Sequence, residues 1–170
     1  SVVRGLGDVY KRQLCAQTLR DIEIICINDG ATDGSPSILR SYAAKDQRIR
    51  IIDKPNSGYG ASLNRGIAEA KGEYVGIVEP DDFPDKRMFK KLYKDAKRAN
   101  ADVAKCNFFN YFDGADHVWY NFAKRECGKP FNPASKPNII CSIPAIWTGL
   151  YRRSFLEREG IRFRETPGAA

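Results

Sequence analysis

Apolar residues in this chain come as short continuous runs alternating with stretches of helical spacing, and the alternation starts at Leu14. Ile22, Ile24, Ile25, Cys26 and Ile27 fill residues 21–27, an apolar run that predicts a strand buried on both faces. A polar loop over residues 28–35 ends in Ser35-Pro36, an N-cap and first-turn pair for a helix to about Lys45 with Ile38, Leu39 and Tyr42 on its apolar face. A second strand is predicted over residues 48–53. The loop 54–60 then leads to a helix over about residues 61–70, with Leu63, Ile67 and Ala70 at helical spacing and Lys71-Gly72 as its stop. Tyr74, Val75, Ile77 and Val78 mark a third strand, and Met88, Leu92, Ala96 and Ala99 a strongly amphipathic helix. Another strand is expected over about residues 102–109. After Tyr111 the pattern degrades, and a strand over residues 145–151 with a short helix over 152–159 closes it.

This order of strands and helices predicts an α/β fold, a parallel, right-handed, doubly wound sheet. Ligands of such sheets sit outside the carboxyl ends of the strands, so the loops after the strands are where chemistry is expected. Residues 1–13 show neither period. They resemble translated adapter strings found at the ends of assembled gene fragments, and read as a non-native leader outside the fold.

Composition narrows the function classes. The length suits one domain with a real core. No apolar run approaches the ~20 residues that cross a bilayer. Five scattered cysteines without a CxxC pair, and a single histidine, His117, argue against a zinc site, a disulfide framework or Ser-His and Cys-His catalysis; reduced thiols in a cytosolic protein fit better. The net charge of +7 is spread along the predicted helices, with Arg4, Lys11 and Arg12 against Asp8 in the leader. No basic stripe interleaved with aromatics exists, so nucleic acid is not an expected partner. A nucleotide diphosphate or an anionic membrane surface suits the excess equally.

Two acidic loops carry the candidate chemistry. The third strand runs into Glu79-Pro80-Asp81-Asp82, three carboxylates in four positions. Clustered carboxylates repel unless a cation neutralises them, and hard oxygen donors suit Mg²⁺ or Mn²⁺; the competing reading is a solvated acidic turn ahead of the next helix. Asn28-Asp29-Gly30 ends the first strand, where a carboxylate can accept hydrogen bonds from a base or ribose, or simply form an Asx turn. On one parallel sheet the two loops fall on the same edge, so one can hold a nucleoside and the other its diphosphate through a metal. No Walker A sequence is present. Gly58-Tyr59-Gly60 starts like a dinucleotide fingerprint but lacks the third glycine and follows the wrong strand.

Taken together, residues 14–170 resemble the nucleotide-sugar-binding domain of glycosyltransferase family 2, which has the GT-A fold. The matching landmarks are Gln17-Thr18-Leu19, residues 28–35, residues 58–67, residues 70–74, the Glu79-Pro80-Asp81-Asp82 turn in the family's D-x-D position, and residues 147–153. The resemblance implies a Rossmann-like, mostly parallel sheet flanked by helices, incomplete because the family's first strand is not recognisable and residues 1–13 stand in its place. It implies that Asp29 contacts the nucleobase, usually uracil, that Asp81 ligates a divalent cation (Mg²⁺ or Mn²⁺), that Glu79 lies near the ribose, and that Asp82 supports or shares the metal. The motif here is E-x-D, and glutamate adds a methylene to that ribose contact. The family's catalytic base is an aspartate a few residues beyond a segment like residues 164–168, so it is expected after Ala170 and no catalytic residue is assigned in this chain.

The function so implied is that of a fragment, truncated at both ends, of an inverting glycosyltransferase that moves a sugar from a nucleotide-diphosphate sugar, a UDP-sugar above all, to an acceptor hydroxyl. Its expected partners are that donor and a saccharide or lipid-linked acceptor. A cytoplasmic location is expected, with association at the inner face of the membrane left open. Two other readings stand beside it: an inactive gene fragment with at most weak nucleotide binding, and a nucleotidyltransferase-like domain, which would call for a glycine- and lysine/arginine-rich phosphate loop near the start, absent here. Trp119, Tyr120 and Phe122 suit partial core packing better than stacking on an acceptor sugar, and Trp147 and Arg152 are weaker candidates for lining the acceptor side.

Overall fold

The computed structural model describes residues 2–4, 14–79, 82–110, 118–120, 128–136 and 145–166. Its elements are β1 (Val2–Arg4), β2 (Ile24–Asp29), α1 (Ser35–Ala43), β3 (Ile49–Lys54), α2 (Tyr59–Glu69), β4 (Tyr74–Val78), α3 (Met88–Ala99), β5 (Val103–Lys105), β6 (Phe108–Asn110), β7 (Val118–Tyr120), β8 (Gly149–Arg152) and α4 (Arg153–Arg158). Six strands form one sheet in the order β3-β2-β1-β4-β8-β5, and β6 pairs with β7 in a separate ribbon.

The strands β3, β2, β1 and β4 are mutually parallel, as the alternation of strand and helix requires. Both faces of this half are covered. Ile25, Ile27, Val75 and Ile77 pack with Leu63 and Ile67 of α2, Ala70 just past its end, and Leu156 of α4. Ile24, Cys26 and Val78 point the other way, toward Leu39 of α1 and Phe89 and Leu92 of α3. The period of two in the strands therefore distributes one continuous apolar run between two cores. On α3, Phe89, Leu92 and Ala96 are the buried stripe, and each of the two larger side chains contributes roughly 2–3 kcal/mol by leaving water. The helix ends at Asn100, in the left-handed conformation (φ 47°), and the Ala101 N–H closes on the Ala96 carbonyl at 2.9 Å.

The fold class holds, with differences in detail. The predicted strand over residues 102–109 is two strands, β5 and β6, in different sheets. β8 enters between β4 and β5 antiparallel to both, so the sheet is mostly rather than wholly parallel. The largest difference concerns the leader. Val2–Arg4 pairs with β2 on one side and β4 on the other, so the expectation that residues 1–13 lie outside the fold does not hold for these three residues. The physical reason is that strand pairing uses backbone groups common to every residue: an open slot between two parallel strands leaves two rows of N–H and C=O groups to satisfy, and a β-branched Val-Val pair suits it.

Candidate functional site

Because β2, β1 and β4 are parallel neighbours, their carboxyl ends form one edge, with β2 and β4 about 10 Å apart across β1. Register fixes the heights. Val3 of β1 is level with both Cys26 and Val78, so Glu79 leaves the edge directly while Asp29 stands two residues farther along its own strand. On the other side, Asp29 is level with Lys54, the last residue of β3. Parallel pairing in register puts these two side chains on one face, and the Lys54 ammonium donates to Asp29 Oδ1.

Among the described residues Asp29 is the most enclosed of the candidate groups, its side chain 4% exposed. Besides Lys54, its carboxylate accepts the backbone N–H of Ser57 at 2.9 Å and of Gly58 at 3.1 Å. Burial by itself would raise its pKa, but the hydrogen bond from Lys54, that from Ser57 and the lysine charge together outweigh it and hold the carboxyl below its ordinary value. Asp29 thus stays ionised and ties the loop 54–58 to the end of β2. Gly58 makes this possible: it precedes the first turn of α2 with φ 90° and ψ 171°, a conformation essentially reserved for glycine. Asn28 Oδ1 accepts the N–H of Ala31, three residues on, at 3.0 Å, while its own Nδ2 donates to Asp53 at 2.7 Å. At the end of this loop the predicted Ser35 cap is replaced. Ser35 is already helical, and Asp33 Oδ1 accepts both its N–H, at 3.0 Å, and its hydroxyl.

The second acidic loop meets the first through Tyr59. Its backbone follows Gly58, which is bound to Asp29, and its phenol donates to Glu79 Oε1. The Asp82 N–H turns back to the Glu79 carbonyl at 3.3 Å, a tight turn that keeps these two carboxylate-bearing residues together. The chain beyond is anchored from below: the fully buried Gln17 donates to the Asp85 carbonyl at 3.0 Å, and the Thr18 N–H to that of Lys86 at 2.8 Å. Asp81, with Pro80, lies outside the described residues.

The donor chemistry fits a hard divalent cation, since Glu79 and Asp82 offer only carboxylate oxygens. Among the described residues no group of three or more His, Cys, Asp or Glu side chains is arranged to hold a metal; Asp81, the residue expected to complete the set, lies outside them.

The weaker acceptor-side candidates separate. Arg152 is a correction: β8 runs antiparallel, so its last residue pairs with Tyr74 at the start of β4, the end opposite the acidic edge. Its guanidinium is committed there to Asp102 at 3.0 Å and to Asn100 at 2.9 Å, and lies over the Tyr74 ring. Trp147 precedes the start of β8 and stands edge-on to Phe108. Trp119 and Tyr120 lie in β7, and Phe122 lies outside the described residues. Lys54, Ser57 and Tyr59 were not singled out as site residues from sequence. Their only signal is position: Lys54 ends a strand beside Asp29, and Tyr59 sits in the glycine pair.

Comparison with known proteins converges on one family. The family model for glycosyl transferase family 2 matches residues 12–160. An uncharacterized glycosyltransferase, EpsJ, of Bacillus subtilis is 35% identical over 161 residues, covering 89% of this chain and 45% of that protein. Among solved structures, S. aureus TarS residues 1–349 in complex with UDP superimposes with a TM-score of 0.80 at 22% identity, over 96% of this chain and 49% of that one. The mannosyltransferase PcManGT of Pyrobaculum calidifontis, in complex with GDP-Man and Mn²⁺, gives 0.65 at 18%, over 94% and 45%. The chain spans about half the length of the curated relatives it matches. With a GT-A-type sheet, an acidic turn after β4 and a family model that runs through both, the chain belongs to glycosyl transferase family 2.

Proposed function

We propose that this chain is the donor-binding half of a glycosyltransferase that uses a nucleotide-diphosphate sugar, with UDP as the preferred nucleotide. The observation that carries the reading is the continuous path Asp29–Gly58–Tyr59–Glu79, which ties the base-side loop to the diphosphate-side turn on one sheet edge. The bound UDP in the TarS structure supports the same reading. The nucleobase is held on the Asp29–Lys54 side, where an ionised carboxylate accepts an N–H and the adjacent ammonium donates. Glu79 faces the ribose, its longer arm steadied by Tyr59. Asp81 and Asp82 hold a divalent cation, as the Mn²⁺ complex of PcManGT supports. When bound, such a cation would neutralise charge on the departing diphosphate.

Sugar transfer itself is assigned to the whole enzyme, with inversion at the anomeric carbon and an aspartate outside this chain removing the acceptor hydroxyl's proton. The acceptor is a saccharide or a lipid-linked saccharide. Among the described residues no helix is long and apolar enough to cross a membrane, and a cytoplasmic location at or near the inner face of the membrane is proposed.

Calorimetric titration with UDP in the presence of Mn²⁺ tests the donor site. The chain should bind UDP, EDTA should weaken that binding at least tenfold, and Asp81→Ala and Asp82→Ala should each weaken it while leaving the metal-free affinity unchanged. Equal affinity in the parent and in both variants removes the metal role.

A further inference from the structure

We infer that Asn64 is a positioning residue: on α2 it clips the segment after α4, residues 163–165, across the helix that begins at the donor edge. The inference rests on the donor-site reading above for its functional meaning, but its geometry stands apart from it. Asn64 Nδ2 donates to the Phe163 carbonyl at 2.9 Å, and the Phe163 N–H donates to Asn64 Oδ1 at 2.8 Å. One side-chain amide thereby satisfies both backbone groups of a residue 99 positions away, as a neighbouring strand would. The same Nδ2 reaches Glu165 Oε1 at 2.8 Å.

One turn earlier, α2 makes room for this crossing. A Cβ at Gly60 would fall on the Arg164 carbonyl, 2.9 Å from its carbon and closer still to its oxygen. Phe163 and Tyr59 both pack against the core cluster beneath α2. The clip therefore lays backbone 163–165 over the first turns of α2, immediately after the Tyr59 that holds Glu79. Asparagine is a poor residue for a helix interior, and here its amide is used up on contacts outside the helix. In the resemblance drawn above, this segment leads to the catalytic base, so fixing it over α2 sets where acceptor chemistry meets the donor edge.

The test uses four proteins: the parent, Asn64→Ala, Asn64→Asp, and Asn64→Asp with Glu165→Gln. Aspartate keeps the acceptor for the Phe163 N–H but loses both donated bonds and faces Glu165 with like charge; Glu165→Gln supplies a donor back to it. Under native conditions trypsin should cut after Arg162 and Arg164 at least tenfold faster in Asn64→Ala and Asn64→Asp than in the parent, with the double variant returning toward it. UDP–Mn²⁺ affinity should stay within twofold in all four. In sugar transfer by the longest chain the gene encodes, kcat should fall at least tenfold in the single variants and recover in the double one, with the donor KM unchanged. Unchanged cleavage rates overturn the clip. Faster cleavage with unchanged kcat, or kcat lost without recovery in the double variant, overturns the positioning role. A parent that does not bind UDP sinks the donor-site reading instead, and leaves the clip to be judged by trypsin.

Discussion

Replacing Asp29 by asparagine is the perturbation whose size the structure defines best. The carboxylate is nearly enclosed and receives an ammonium, itself only 16% exposed, and two backbone N–H groups. Asparagine fills the same volume, but it can offer one carbonyl oxygen to three donors and turns an NH₂ toward at least one of them. The loss is that of a buried, hydrogen-bonded charge pair broken on one side, which costs about 3 kcal/mol because the lysine is left enclosed without its counter-charge. For a chain of this length that corresponds to a fall of about 6–12 °C in Tm. The pH dependence has a definite sign. The folded-state pKa of Asp29 lies below its ordinary value, so its contribution to stability is fully present above the ordinary carboxylate range and is lost as pH falls toward the folded-state pKa. The stability gap between parent and Asp29→Asn should therefore be full at pH 7 and narrow steadily on acidification. Other carboxylates titrate in both proteins and cancel in the difference. Urea denaturation followed by far-UV circular dichroism, from pH 7 down to pH 3, measures this. A gap under about 0.5 kcal/mol at pH 7, or one that does not narrow with acid, refutes the account of Asp29 as the ionised organiser of the loop 54–58.

Two further expectations follow from the same corner. Gly58→Ala forces a side chain into a backbone conformation with φ 90° and ψ 171°, so it should cost about 1–3 kcal/mol in urea denaturation and weaken UDP binding in calorimetry. Tyr59→Phe removes only the hydroxyl that steadies Glu79; it should change stability by about 1 kcal/mol or less, yet weaken UDP–Mn²⁺ binding severalfold.

What the sequence discloses here is what local patterns encode. β2, α2, β4 and α3 are legible because each has an apolar period that matches its burial, as with Phe89, Leu92 and Ala96 on one side of α3. Placing two acidic loops on one edge follows from parallel topology alone. Features set by partners remote in sequence are not legible. The direction of β8, and with it the removal of Arg152 from the acidic edge, depends on which strand end docks beside Tyr74. The three-residue β1 has too little pattern to be seen, and it is held by backbone pairing on both sides. The Ser35 cap fails because the helix starts one residue early: Ser35 is its first residue, and Asp33 takes both its N–H and its hydroxyl. The role of Lys54 needs the β2–β3 register, which no local spacing supplies. Asn64 meets Phe163 only once the whole sheet is built.

The central claim is that the Asp29 loop and the Glu79–Asp82 turn face one ligand. Paramagnetic broadening tests it in a single experiment: ¹H–¹⁵N spectra of the labelled chain with UDP, before and after substoichiometric Mn²⁺, with the diamagnetic Mg²⁺ complex as reference. The amide signals of Gly58 and Tyr59 should broaden together with those of Glu79 and Asp82, and the loss should require UDP for the loop residues. Broadening confined to the acidic turn, or scattered over surface carboxylates such as Asp85 and Glu157 whether or not UDP is present, contradicts a shared nucleotide-diphosphate pocket.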